Sequence, residues 1–172
     1  NTPATETTSM GPKNNWPNGY GFEYFYGFLG GETSQWEPRL TENYDHIEPP
    51  HDDPKYHLTQ DLVEKGLLWL DNHQAFSPDK PFFMYYGLYR PHTPYTAPKR
   101  FFDLYDGVDI TMPPGFRPDD LDDVPLQGRQ LVDSLKRYHK KGMAKDEVLL
   151  TMMKAYCANY SFADWNIGRL IE

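Results

Sequence analysis

The chain has 172 residues, a formal net charge of −8 and one cysteine. That length supports a domain with a real core, and the acidic balance excludes a nucleic-acid partner held through its phosphates, which needs a basic surface. Cys157 alone excludes an internal disulfide framework and any zinc cluster built from cysteines. Hydrophobic residues make up only 38%, but 13 Tyr and 10 Phe can build a core dominated by rings, because each ring buries a large area. No segment approaches the roughly 18 consecutive apolar residues of a membrane span. The start at Asn1-Thr2-Pro3 carries no signal-like pattern, and Leu170-Ile171-Glu172 stops inside a helical pattern, so both ends read as cut.

In chain order, residues 1–19 are polar and rich in Pro, Thr and Asn, and read as loop. The run from Gly21 to Gly27 alternates between glycines and predicts a short strand or extended turn. Phe28 to Lys55 carries Gly30-Gly31 and several prolines, and reads as a long surface excursion with a small hairpin around Gln35 to Tyr44. A helix is predicted from Thr59 to Asn72, because Leu62, Val63, Leu67 and Leu70 recur at helical spacing and Thr59 can cap the start. Gly66 weakens that helix by about 1 kcal/mol relative to Ala.

After a turn at Ser77 to Pro81, the run from Phe82 to Leu88 lacks polar alternation. Its length suits a strand covered on both faces, as in a parallel sheet. Lys99 to Tyr105 predicts a short helix presenting Phe101, Phe102 and Tyr105. Val108 to Asp123, rich in Pro and Asp, reads as loop. Leu131, Leu135 and Tyr138 suggest a further helix, with Lys136 to Lys141 as its solvated end. The last helix begins near Lys145 and carries Val148, Met152, Ala155, Tyr156, Phe162, Ala163, Ile167 and Leu170 on one broad face.

His92 is the main chemical candidate. It lies just past the carboxyl end of the predicted strand, where ligands bind in open α/β sheets. Pro91 and Pro94 stiffen the turn around it. An imidazole there can donate to an anionic oxygen or protonate a leaving group near neutral pH. On spacing alone, the ordinary reading of a loop histidine bonded to a carbonyl is favoured. Tyr95 adjoins it and is a candidate for the substrate cleft. Trp16 and Trp36 are expected to pack under the long loop. His51, Asp52, Asp53 and His57 have metal-ligating chemistry, but acidic loops bearing histidine are more often solvated. Asn159-Tyr160-Ser161 fits a glycosylation sequon, although it falls within a helix.

The stretch from Phe82 through Arg90-Pro91-His92-Thr93-Pro94-Tyr95 to Tyr105 resembles the sulfatase family, most closely its iduronate-2-sulfatase and choline-sulfatase-like members. Tyr156 to Leu170 is similar to the helix before their next core strand. Trp16 to Thr33 resembles bacterial arylsulfatases. The resemblance implies that residues 1–172 form the central part of a single catalytic domain, truncated at both ends. The implied fold is α/β, alkaline-phosphatase-like, with a predominantly parallel sheet covered by helices and with long loops. It also implies hydrolysis of a sulfated small molecule or glycan by a formylglycine nucleophile, made in a Cys/Ser-x-Pro-x-Arg motif, with a divalent ion, usually calcium. His92 matches the family's histidine that binds sulfate or assists the leaving group. Cys157 has no Pro or Arg at motif spacing, and no metal ligand is assigned, so nucleophile and metal are expected from outside this chain. Two other readings remain open: a phosphonate or phosphate monoester hydrolase of the same superfamily, and a catalytically inactive binding module.

Overall fold

The structure, a computed structural model, describes residues 2–117, 119–134 and 145–172. The chain divides into two compact units, Asn1–Tyr89 with Trp165–Glu172, and Arg90–Asp164.

The first unit holds a three-stranded sheet in the order β1-β2-β3. Strand β1 is Tyr26–Gly27, β2 is Leu40–Glu42 and β3 is Asp45–Ile47. Both pairings are antiparallel. The hairpin therefore lies a few residues beyond its predicted place, turning at Asn43, which takes a left-handed φ of 54°. Asparagine tolerates that conformation better than most side chains do. The Asn43 Oδ1 accepts from the Phe25 amide at 3.1 Å, and the Asn43 amide donates to the Phe25 carbonyl at 2.8 Å. One residue thus makes the turn and ties β1 to it. Trp16 is buried, as expected, with Nε1 donating to the Glu6 carbonyl at 2.7 Å. Trp36 does not pack as expected: it is 54% exposed, and its ring meets the His57 ring edge to face at 6.1 Å between centroids.

Helix α1 spans Leu58–Phe76, longer at both ends than its apolar period indicates. His57, not Thr59, is the N-cap, and its Nδ1 accepts from the Thr59 amide at 3.2 Å. The Thr59 hydroxyl instead donates to Gln35 Oε1 at 3.3 Å. At the far end, Trp69 and His73 stack at 5.1 Å and the Ser77 amide donates to the His73 carbonyl at 2.8 Å. These contacts carry the helix past Asn72. Gly66 has a packing reason: a Cβ there would stand 3.2 Å from Leu170 Cδ2 and 4.0 Å from the Tyr86 ring. The close approach offsets its poor helix propensity.

A polar network joins α1 to the sheet. Tyr26 and Tyr56 both donate to Asp61 Oδ2, at 2.6 and 2.9 Å, and Tyr24 donates to Glu42 Oε1 at 2.6 Å. Lys65 pairs with Glu42 at 3.6 Å and lies over the Tyr26 ring at 4.7 Å.

The run from Phe82 to Leu88, predicted as a strand, forms no ladder among the described residues. The segment shows the strand's inward and outward alternation, with Met84, Tyr86 and Leu88 partly covered and Phe83, Tyr85 and Gly87 exposed. A β-strand is defined by ladder hydrogen bonds, and side-chain pattern alone cannot supply them. The sheet that this chain does form is antiparallel, not parallel as expected. Phe83 is 76% exposed, so the run is not covered on both faces.

The second unit contains α2 (Lys99–Asp103), α3 (Leu126–Ser134) and most of α4 (Lys145–Ile171). Leu135, Tyr138 and the Lys136–Lys141 run lie outside the described residues. Phe101, Ala158 and Phe162 form its buried core, with Ala97, Phe102 and Tyr105 packed around them. Burying a ring such as Phe162 contributes about 1.5–3 kcal/mol. Helix α4 buries Val148, Ala158, Asn159, Phe162, Ala163 and Asn166. Tyr156 and Ile167, assigned to its apolar face from sequence, are exposed, and two asparagines stand in the buried stripe instead. Asn159 Nδ2 donates to the Ala155 carbonyl one turn back, at 2.8 Å. That buried amide makes the sequon reading structural.

Candidate active-site loop around His92

The loop from Arg90 to Thr96 opens the second unit. Its first residue is an arginine only 2% exposed, in a loop where arginine would ordinarily reach for solvent. The guanidinium turns back on its own loop. One NH group donates to the His92 carbonyl at 2.5 Å, and the other donates to Thr96 Oγ1. The fork thereby spans the loop and fixes the carbonyl of the candidate histidine. The Arg90–Pro91 and Thr93–Pro94 peptide bonds are both cis.

His92 is exposed in this loop. Its Nδ1–H donates to the Thr93 carbonyl at 2.6 Å. The ordinary reading of a carbonyl-bonded loop histidine is therefore correct as far as Nδ1 goes. The same bond fixes the tautomer, placing the imidazole's remaining acid–base chemistry at Nε2. An orienting bond at one nitrogen and chemistry at the other is how an imidazole is held for proton transfer or anion recognition.

Tyr95 is half-buried, and its ring meets Tyr156 of α4 edge-on at 5.8 Å, with 78° between the planes. The loop continues into α2, and α2 with the turn after it is fastened to α4. Phe101 packs on Phe162 at 5.0 Å, Tyr105 shares a hydrogen bond with Ser161 Oγ at 2.7 Å, and Lys154 pairs with Asp106 at 2.7 Å. The bond from Lys154 holds the Asp106 carboxyl below the ordinary carboxylate range. His92 and Tyr95 thus share one loop seated on a packed helix pair. Arg90 has no periodicity or spacing signal that marks it as the clamp; only its burial and its two bonds do so.

The weaker metal candidates do not converge. His51 pairs with Glu48 at 3.3 Å, Asp53 accepts from the Lys55 amide at 2.8 Å, and His57 caps α1. Among the described residues no group of three or more His, Cys, Asp or Glu side chains is placed to hold a metal ion. No helix in them is long and apolar enough to cross a membrane. Cys157 is half-buried within α4.

The family model described as Sulfatase matches residues 3–172. A protein of Formosa agariphila named Sulfatase is 33% identical over 93 residues, which cover 54% of this chain and 18% of that protein. The chain therefore spans a small part of that relative's length. The match takes in the Arg90–Thr96 loop and both packed units, and on that ground the chain belongs to the sulfatase family.

Proposed function

We propose that the protein of which residues 1–172 are the central part of one catalytic domain hydrolyses sulfate esters of a small molecule or glycan. Sulfatases are sulfate ester hydrolases of the alkaline-phosphatase-like α/β fold and generally use a divalent metal. The residues described in this chain do not fit such an ion, since they hold no ligand cluster. No Cys/Ser-x-Pro-x-Arg motif occurs in the sequence either. In this proposal the formylglycine nucleophile and the divalent ion, calcium, are supplied from outside the chain. So are the strands that would pair with the Phe82–Leu88 run and make the sheet predominantly parallel.

What this chain contributes is the histidine loop. The observation that carries the reading is the Arg90 clamp, which holds the His92 carbonyl while the Nδ1 bond orients the ring. His92 Nε2, when protonated, donates a hydrogen bond to a sulfate oxygen or passes its proton to the departing alcohol oxygen. Tyr95 lines the approach to that position. Changing His92→Ala in the complete enzyme is expected to lower turnover of an aryl sulfate by roughly 10²-fold or more. Unchanged kinetics with an intact fold would return His92 to a structural role. Running the same series on an aryl phosphate separates the alternatives, because a phosphate monoester hydrolase would prefer that substrate.

A further inference from the structure

Tyr156 and Tyr160 are 43% and 60% exposed, although they belong to a helix whose other face supplies the core of its unit. They stand four residues apart, the spacing that puts two side chains on one face of a helix. Their ring centroids are 6.3 Å apart with 40° between the planes. Tyr95 extends the row at 5.8 Å from Tyr156, nearly perpendicular to it. Neither Tyr156 nor Tyr160 makes a side-chain hydrogen bond among the described residues. The nearby Lys154 charge is taken up by Asp106, so the row itself is uncharged. It ends on the loop that carries His92: Tyr95 lies three positions after His92, which bounds their Cα separation to about 11 Å.

An uncharged row of rings with phenol hydroxyls at its margin suits a flat group with one apolar face and a polar rim. We propose that Tyr95, Tyr156 and Tyr160 form a stacking platform for a six-membered ring on the alcohol side of the ester, a pyranose. This rests on the reading of the His92 loop as the sulfate-facing site. The sulfate meets the imidazole, and the ring that bears it lies along α4. The hydroxyls of Tyr156 and Tyr160 would then bond to sugar hydroxyls, whereas an aryl group would use the ring faces alone.

The test uses the complete enzyme carrying Tyr156→Ala or Tyr160→Ala, assayed on a pyranose monosulfate, an aryl sulfate and a short acyclic alkyl sulfate. The expected result is a fall of roughly 3- to 10-fold in the ratio of kcat/KM for the pyranose sulfate to that for the acyclic one. That fall should come mainly through KM and be recovered only in part in Tyr156→Phe, which restores the ring but not the hydroxyl. An equal loss on all three substrates, or an unchanged ratio, overturns the platform. A fall confined to the aryl sulfate overturns the sugar assignment. A parent enzyme without sulfatase activity would sink the proposed function but still leave the platform testable. Saturation-transfer NMR with the unsulfated methyl pyranoside should then show contact that Tyr156→Ala abolishes, and no contact in the parent protein would count against it.

Discussion

Arg90 shows how much one side chain can decide. A guanidinium at 2% exposure is tolerated only because its charge is hydrogen-bonded, here to the His92 carbonyl and the Thr96 hydroxyl. Bonds from a charged donor of this kind contribute about 1.5–3 kcal/mol. Lysine carries the charge but not the planar fork, so it cannot span both acceptors in the same geometry. In the complete enzyme, Arg90→Lys is expected to keep the fold while lowering kcat roughly 10-fold, because a small displacement of His92 misaligns it. A split between kcat and KM separates positioning from plain destabilisation: a misaligned His92 should lower kcat at unchanged KM and an unchanged melting transition, whereas a merely less stable enzyme should melt earlier and keep its kcat. His92 itself could be picked out from its place after an apolar run. Arg90 could not, since nothing in a sequence reports which surface-type side chain will be buried.

At the scale of elements, helices with strong apolar periods were legible and their ends were not. The spacing of Leu62, Val63, Leu67 and Leu70 identified α1, but its start depends on a histidine cap and its end on a ring stack. The Asp61 and Glu42 network, which ties that helix to the sheet, also had no sequence signature. Burial raises the pKa values of Tyr24, Tyr26, Tyr56 and Tyr86, aided at the first three by the hydrogen-bonded or neighbouring carboxylates. A raised value in the folded state favours the neutral phenol, so this stability is fully present below the unfolded tyrosine value of about 10. It is lost as pH rises from there toward the folded values. In an alkaline titration followed at the tyrosinate absorbance, these phenols should stay silent until the protein unfolds. Smooth titration of all tyrosines near their ordinary value, in a folded protein, would contradict the network.

For the whole molecule, the chain divides into two compact units, and Phe82, Phe83 and Tyr85 are exposed along an extended run that has no strand partner among the described residues. Unpaired strand-like backbone with large exposed rings invites association. The 172-residue chain alone is expected to self-associate in sedimentation velocity and to leave an aryl sulfate unhydrolysed even with added calcium. A cooperatively melting monomer would argue against the first expectation, and turnover would argue against the second.

The sequence by itself determined the family, because the order of the Arg90–Tyr95 stretch and its flanks is a property of the chain. It also determined the main helices, whose repeat of apolar residues is local, and named His92 and Tyr95 as candidates. Only the tertiary structure decided what Phe82 to Leu88 becomes, since a strand requires hydrogen-bond partners that lie elsewhere in the chain or beyond it. It also decided which face of α4 is buried. Tyr156 and Asn159 sit three positions apart, yet in the folded helix the polar residue is buried and the aromatic one is exposed. Hydrophobicity ranks side chains by their preference for burial, but the neighbouring surface determines which of them is covered.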